Sequence, residues 1–180
     1  LKERIELAEN GHDILEKKRD GLIHEFMNFA DEAKEVNEEL ADIYSQARLK
    51  MLMAKVYDGE DQVKANAFPI QNEPKISSST QNIMGVVVPE IQSEQISRDI
   101  MDREYGVVSA SSRIDGVADK YEDLLEKIVE AAETQTKILK LLNEIEKTKR
   151  RVNALEHKVI PEFKEALDMV SQSLEESARE

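Results

Sequence analysis

The stretch KTKRRVNALEHK, residues 147–158, gathers Lys147, Lys149, Arg150, Arg151 and Lys158 beside one carboxylate, Glu156. The chain as a whole carries 25 Lys or Arg against 38 Asp or Glu, a formal charge of −13. Positive charge concentrated against the sign of the whole protein suits acidic loops of a protein partner. The bland alternative is a solvated helix face. Binding to nucleic acid is excluded as a general function, because phosphate attraction needs a basic footprint over the domain. A smaller cluster, Lys17-Lys18-Arg19, raises the same question near the other end of the chain.

Catalytic chemistry finds little support. His12, His24 and His157 lack metal-ligand spacing, and no HExxH is present. No Gly is followed by Lys, so no P-loop cradles a phosphate. Ser77-Ser78-Ser79-Thr80 has no neighbouring base or nucleophile elbow, and Cys is absent. Paired carboxylates on solvated helix faces follow from composition alone. The reading is a non-enzyme without cofactor or metal.

The elements that position the basic clusters come from hydrophobic rhythm. From Leu1 to Ala47, steps of four and three residues land on Ile5, Ala8, His12, Leu15, Arg19, Leu22, Phe26, Phe29, Ala33, Val36, Leu40 and Ile43, a coiled-coil signature. No Pro precedes Pro69, so the spacing predicts a helix over 1–57, roughly 85 Å long at about 1.5 Å per residue, stopped by Asp58-Gly59. A second rhythm over 111–180 lands on Val117, Tyr121, Leu124, Ile128, Ala131, Gln135, Ile138, Leu142, Ile145, Lys149, Val152, Glu156, Val159, Phe163, Ala166, Val170 and Ser173. Ser112 and Asp115 resemble a capping box that starts this helix near Ser111, and Pro161 is expected to bend it.

Residues 58–110 read as an insert holding Pro69, Pro74 and Pro89. A hairpin is expected from Lys75–Thr80 and Met84–Ile91 around Gln81-Asn82, and a short helix over Gln92–Arg103. Met51, Met53 and Met101 read as gap fillers. No apolar run nears the roughly 20 residues that span a bilayer, so direct membrane insertion is not expected. The chain opens without Met inside one rhythm and closes inside another, which reads as a piece trimmed at both ends.

The expected fold is mainly α: a long antiparallel two-helix coiled coil with a small mixed α/β insert. Each helix has one apolar stripe and cannot stand alone in water, so the two should zip together. In the working register, paired residue numbers sum to about 170 and Arg19 faces Arg151. At about 100° per residue, Lys147, Arg150, Arg151 and Lys158 then share an outward stripe, with Lys17 and Lys18 beside them. They form a positive collar on a negative shaft. Arg19, Lys149 and Glu156 fall on the seam as an internal polar layer that sets register.

Gly11-His12-Asp13-Ile14-Leu15-Glu16-Lys17-Lys18-Arg19-Asp20-Gly21-Leu22 resembles the first-helix motif of the D subunit of archaeal A-type and vacuolar-type ATP synthases. Lys147 to Glu156, followed by Val159-Ile160-Pro161, resembles that family's second-helix motif. The resemblance implies a non-catalytic central-stalk rotor component. Such a component enters the hexamer of A and B subunits and meets the F and C subunits at its insert end. It couples rotation of the membrane ring to ATP synthesis or hydrolysis, peripherally at the cytoplasmic face of the cell membrane. Members of the family extend beyond both ends seen here. Lys17, Lys18, Lys147, Arg150, Arg151 and Lys158 become the expected contacts to the A/B hexamer. The alternatives are a prefoldin-like coiled-coil chaperone, whose helices are generally shorter and lack KTKRRVNALE, and a structural coiled-coil scaffold.

Overall fold

The computed structural model describes residues 1–68, 75–94, 96 and 110–179. Its elements are α1 (Lys2–Tyr57), α2 (Glu60–Ala67), β1 (Lys75–Ile83), β2 (Val86–Glu94), α3 (Ser112–Ala154), a π-turn (Leu155–Val159) and α4 (Ile160–Arg179). The architecture is the mainly α one expected, two long helical stretches flanking a two-stranded hairpin.

Helix α1 ends where Gly59 adopts φ 90°, a conformation that side chains with a Cβ resist. Glu3 in its first turn and Lys55 in its last complement the helix dipole. Sequence reading missed α2, which begins immediately after that stop with Glu60 and Asp61 in its first turn. At the start of α3 the cap is Ser111, one residue before the expected Ser112. Its hydroxyl accepts the Ile114 N–H at 3.3 Å and donates to Asp58 at 2.9 Å.

The residues group into two compact units. The first comprises Leu1–Asn28, Ile83–Val86 and Ile138–Glu180. Within it, Glu9 pairs with Lys164 at 2.8 Å, His12 Nε2 lies 3.8 Å from Glu156, and Lys18 pairs with Glu144 at 3.1 Å. Rising numbers on α1 meet falling numbers opposite, so the helices run antiparallel here. Ile5, Ala8, Leu22, Leu141, Ile145, Thr148 and Val152 form the core. Fully burying a side chain such as Leu22 or Leu141 stabilises by about 1.5–3 kcal/mol.

The second unit comprises Phe29–Asn82 and Val87–Lys137. Lys127 reaches Glu39 at 2.6 Å and Glu130 at 2.7 Å, and these two carboxylates, Glu130 foremost, raise its pKa above 10.5. Arg113 grips both oxygens of Asp58 at 3.2 Å and lies 5.2 Å over the Tyr57 ring. Again the pairing is antiparallel. Its seam is rich in small residues, Ala33, Ala47, Ala54 and Ala131, which let two helices approach closely.

Three expectations need correction. The α1 rhythm holds, but that of α3 is half wrong. Ile145 and Val152 are buried as expected, whereas Leu142 is 40% exposed and Leu141 is fully buried, and Thr148 is buried in place of Lys149. Adjacent rows compete for the inside of the seam, and the row holding Lys149 and Glu156 would have to desolvate charge. The row holding Thr134 and Thr148 does not, since a hydroxyl can be satisfied locally, as Thr134 is by the Glu130 carbonyl at 3.0 Å.

The hairpin turns at Met84-Gly85, not at Gln81-Asn82. Both turn residues have positive φ, 51° and 87°, the type I′ geometry whose twist matches the flanking strands, and Gly85 adopts it without strain. Ser79 opposite Glu90 and Ser77 opposite Gln92 agree with that register. Residues 92–94 belong to β2, so the helix expected over Gln92–Arg103 does not begin there. Ile96 lies in no regular element, and the rest of that segment lies outside the described residues.

Pro161 introduces its irregularity as a π-turn. The Ile160 N–H bonds the Leu155 carbonyl, five residues back, and the helix continues beyond.

Candidate partner-binding surface

The ion pairs of the first unit bring the two basic clusters to one level. His12 meets Glu156 and Lys18 meets Glu144, so Lys17–Arg19 and Lys147–Arg151 occupy the same stretch of paired helix. Lys17, Lys147, Lys149, Arg150, Arg151 and Lys158 are exposed. Among the described residues, Lys17, Lys147, Lys149, Arg151 and Lys158 have no carboxylate partner. Arg150 bonds Glu146 at 3.3 Å, a solvated pair worth little. Lys18 differs, being half-buried and committed to Glu144.

The proposed polar layer has a different placement. Arg19 is half-buried and bonds its own helix neighbours, Asp20 at 2.9 Å and Glu16 at 3.1 Å. Asp20, then Glu16, raise its pKa further above the ordinary guanidinium value. Lys149 and Glu156 are exposed, and the polar residue the seam buries at this level is Thr148, at 1% exposure. Relative to the sequence expectation, the outward face of this stretch therefore gains Lys149 together with Glu156, and loses Lys18 to its pair with Glu144.

His12, Asp13 and Glu16 place possible metal-ligand atoms within 4.8 Å of one another. Asp13 is 71% exposed and hydrogen-bonds the imidazole Nδ1 at 3.3 Å. All three lie within five residues of α1, and exposed acidic groups commonly cluster this way without an ion.

A second surface escaped sequence reading. Tyr44, Leu49, Leu52, Met53 and Val56 are exposed on the last turns of α1. A groove of about 510 Å³ is lined by Tyr44, Leu49 and Leu52 from this set, with Arg48, Met51, Lys55 and Tyr121. Arg48 stacks over Tyr44 at 5.7 Å. The available signal was a second apolar row off the seam, which the long helix made easy to assign to filler.

Long antiparallel helical pairing, a small hairpin and outward unpaired cations define a coiled-coil protein with faces suited to protein partners. The family described as the D subunit of ATP synthase matches the chain over residues 1–180. The A-type ATP synthase D subunit of Haloarcula marismortui is 47% identical over all 180 residues, which cover 78% of that relative. Those of Methanoregula boonei and Methanosarcina mazei are 49% and 47% identical, with 86% of each covered. The chain belongs to the ATP synthase D-subunit family, in its archaeal A-type branch. Neither the chaperone nor the scaffold alternative is favoured by these matches. Among the described residues no helix is long and apolar enough to cross a membrane.

Proposed function

We propose that this chain is the non-catalytic central rotor shaft of an A-type ATP synthase, peripheral to the cytoplasmic face of the membrane. It couples rotation of the membrane ring to the nucleotide state of the A/B hexamer. The observation that carries the reading is the unpaired outward charge of Lys147 and Arg151, in the same stretch as Lys17, with Lys158 further along the helix, on a chain of net charge −13. Acidic loops of three equivalent A/B pairs would feel that one-sided charge at different strengths as the shaft turns. Each shaft angle then favours one nucleotide state, and the coupling is reciprocal for binding.

The groove from Tyr44 to Lys55 is assigned to the F subunit, with its apolar floor for a helix and Arg48 and Lys55 for acidic flanks. The C subunit is taken to join the shaft to the ring. The test is the double variant Arg150→Glu/Arg151→Glu in the reassembled complex. Helicity and melting should stay within those of the parent, while assembly with the A/B hexamer or coupled ATP turnover falls. Unchanged assembly and coupling would reduce the cluster to a solvated face. Capture of the purified F subunit, lost in Leu52→Glu, tests the groove separately.

A further inference from the structure

Gly21 lies in the interior of α1, where glycine weakens a helix relative to alanine. A Cβ placed there would lie 2.5 Å from Met84 Cε and 3.0 Å from its Sδ, whereas one on Gly11, in the same helix, would meet nothing within 4 Å. The bare backbone of Gly21 is thus filled by a side chain from the hairpin turn. Met84 holds φ 51°, a region where Gly, Asn or Asp is the usual choice. Methionine gains nothing from that backbone. Its long, pliable thioether does suit an irregular gap. Beside it, Lys18 Nζ would lie 3.7 Å from a Cβ on Gly85, and the same amine is bonded to Glu144 at 3.1 Å. Val86 is buried next to the turn.

We propose that the hairpin turn is a detachable clasp, in which Met84 seated over Gly21 holds the turn above Lys18 and controls access to that amine. Detachability belongs to the turn and β1, since β2 is anchored by fully buried Val88 and by the Ile91 N–H donating to a Glu133 carboxylate oxygen at 2.8 Å. A two-stranded hairpin is marginal by itself, β1 is exposed along nearly its whole length, and Met84 remains 45% exposed while docked. With the clasp shut, Lys18 is spent on Glu144 beneath the turn, and the outward cluster consists of the other cations. With it open, Lys18 is free to join Lys17 and Lys147. This last consequence rests on the partner-binding reading above; the clasp itself does not.

The experiment uses the full chain and two variants that empty or fill the seat by different routes. Gly21→Leu fills the gap and strengthens the helix. Met84→Asn removes the thioether while suiting the positive φ better than methionine does. Lysine acylation by an N-hydroxysuccinimide ester, read by mass spectrometry, reports access to Lys18 with Lys17 as internal reference. Hydrogen exchange at Val86–Val88 reports local opening. In both variants the Lys18/Lys17 labelling ratio should rise about five-fold and hairpin exchange should quicken, while exchange in α1 is unchanged or slower. Parental labelling and hairpin exchange in both variants would overturn the clasp, as would equal acceleration throughout α1. Neither readout involves other proteins of the complex, so failure of the clasp and failure of the rotor reading are separable.

Discussion

Within one compact unit, two successive helical stretches carry apolar rows and meet opposite fates. Along α3, Leu141, Ile145, Thr148 and Val152 are buried against α1. Along α4 the segregation of apolar from polar residues is sharper, yet no residue is buried, and Met169, Val170 and Leu174 are largely exposed. Lys164 pairs with Glu9, so Met169 and Val170 lie level with the first turn of α1, while Leu174 lies past it and meets no facing helix among the described residues. Amphipathic pattern records a capacity for burial. Whether the capacity is used depends on what lies opposite.

The sharpest way to test the contrast is substitution on each side of it. Leu141→Ala should lower unfolding free energy by about 2–5 kcal/mol in urea titration, as expected of a fully buried leucine. Thr148→Lys should follow at about 1–3 kcal/mol, because it desolvates a charge. Lys149→Ala, one position on, should stay within about 0.5 kcal/mol. Equal costs for these two would restore the row that includes Lys149 to the inside of the seam.

A separate experiment probes the other unit by pH. Hydrogen bonds from Arg113 and then Ser111 hold Asp58 below its ordinary pKa of 3.8. A carboxylate with a depressed folded pKa stabilises fully above its unfolded value and loses that contribution as pH falls through the folded one. Amides in the first turn of α3 should therefore keep their protection above pH 3.8 and lose it in more acidic solution. Asp58→Asn should show weaker protection throughout and no such acid step. The smallest effect is expected in α4, where Leu174→Ala or Met169→Ala should change the stability of the isolated chain by less than about 0.5 kcal/mol.

Much of this fold was legible because long helices repeat their signal. The α1 rhythm from Ile5 to Ala47 identifies its seam, since a single apolar row dominates. In α3 the neighbouring pairs Leu141/Leu142 and Thr148/Lys149 left two rows open, and strict counting chose the row that strands Lys149. Desolvation cost was the better arbiter. The turn at Met84-Gly85 was hidden by the more familiar-looking Gln81-Asn82, and the Met84 seat depends on a contact between residues distant in sequence. At the basic surface, the identities of Lys147, Arg150 and Arg151 were readable from charge alone. The withdrawal of Lys18 into its pair with Glu144 was not, because it needs the register of two helices.

The π-turn before Pro161 has a consequence for the reading frame of the pattern. One added residue is absorbed there, so the row Ile145, Val152, Val159 resumes one place late as Ile160, Leu167, Leu174. Strict sevens counted through this point assign every later residue to the neighbouring flank. A deletion of one residue inside Leu155–Val159 would merge the two rows into a single phase, while the same deletion in the middle of α3 would swing everything beyond it by about 100°.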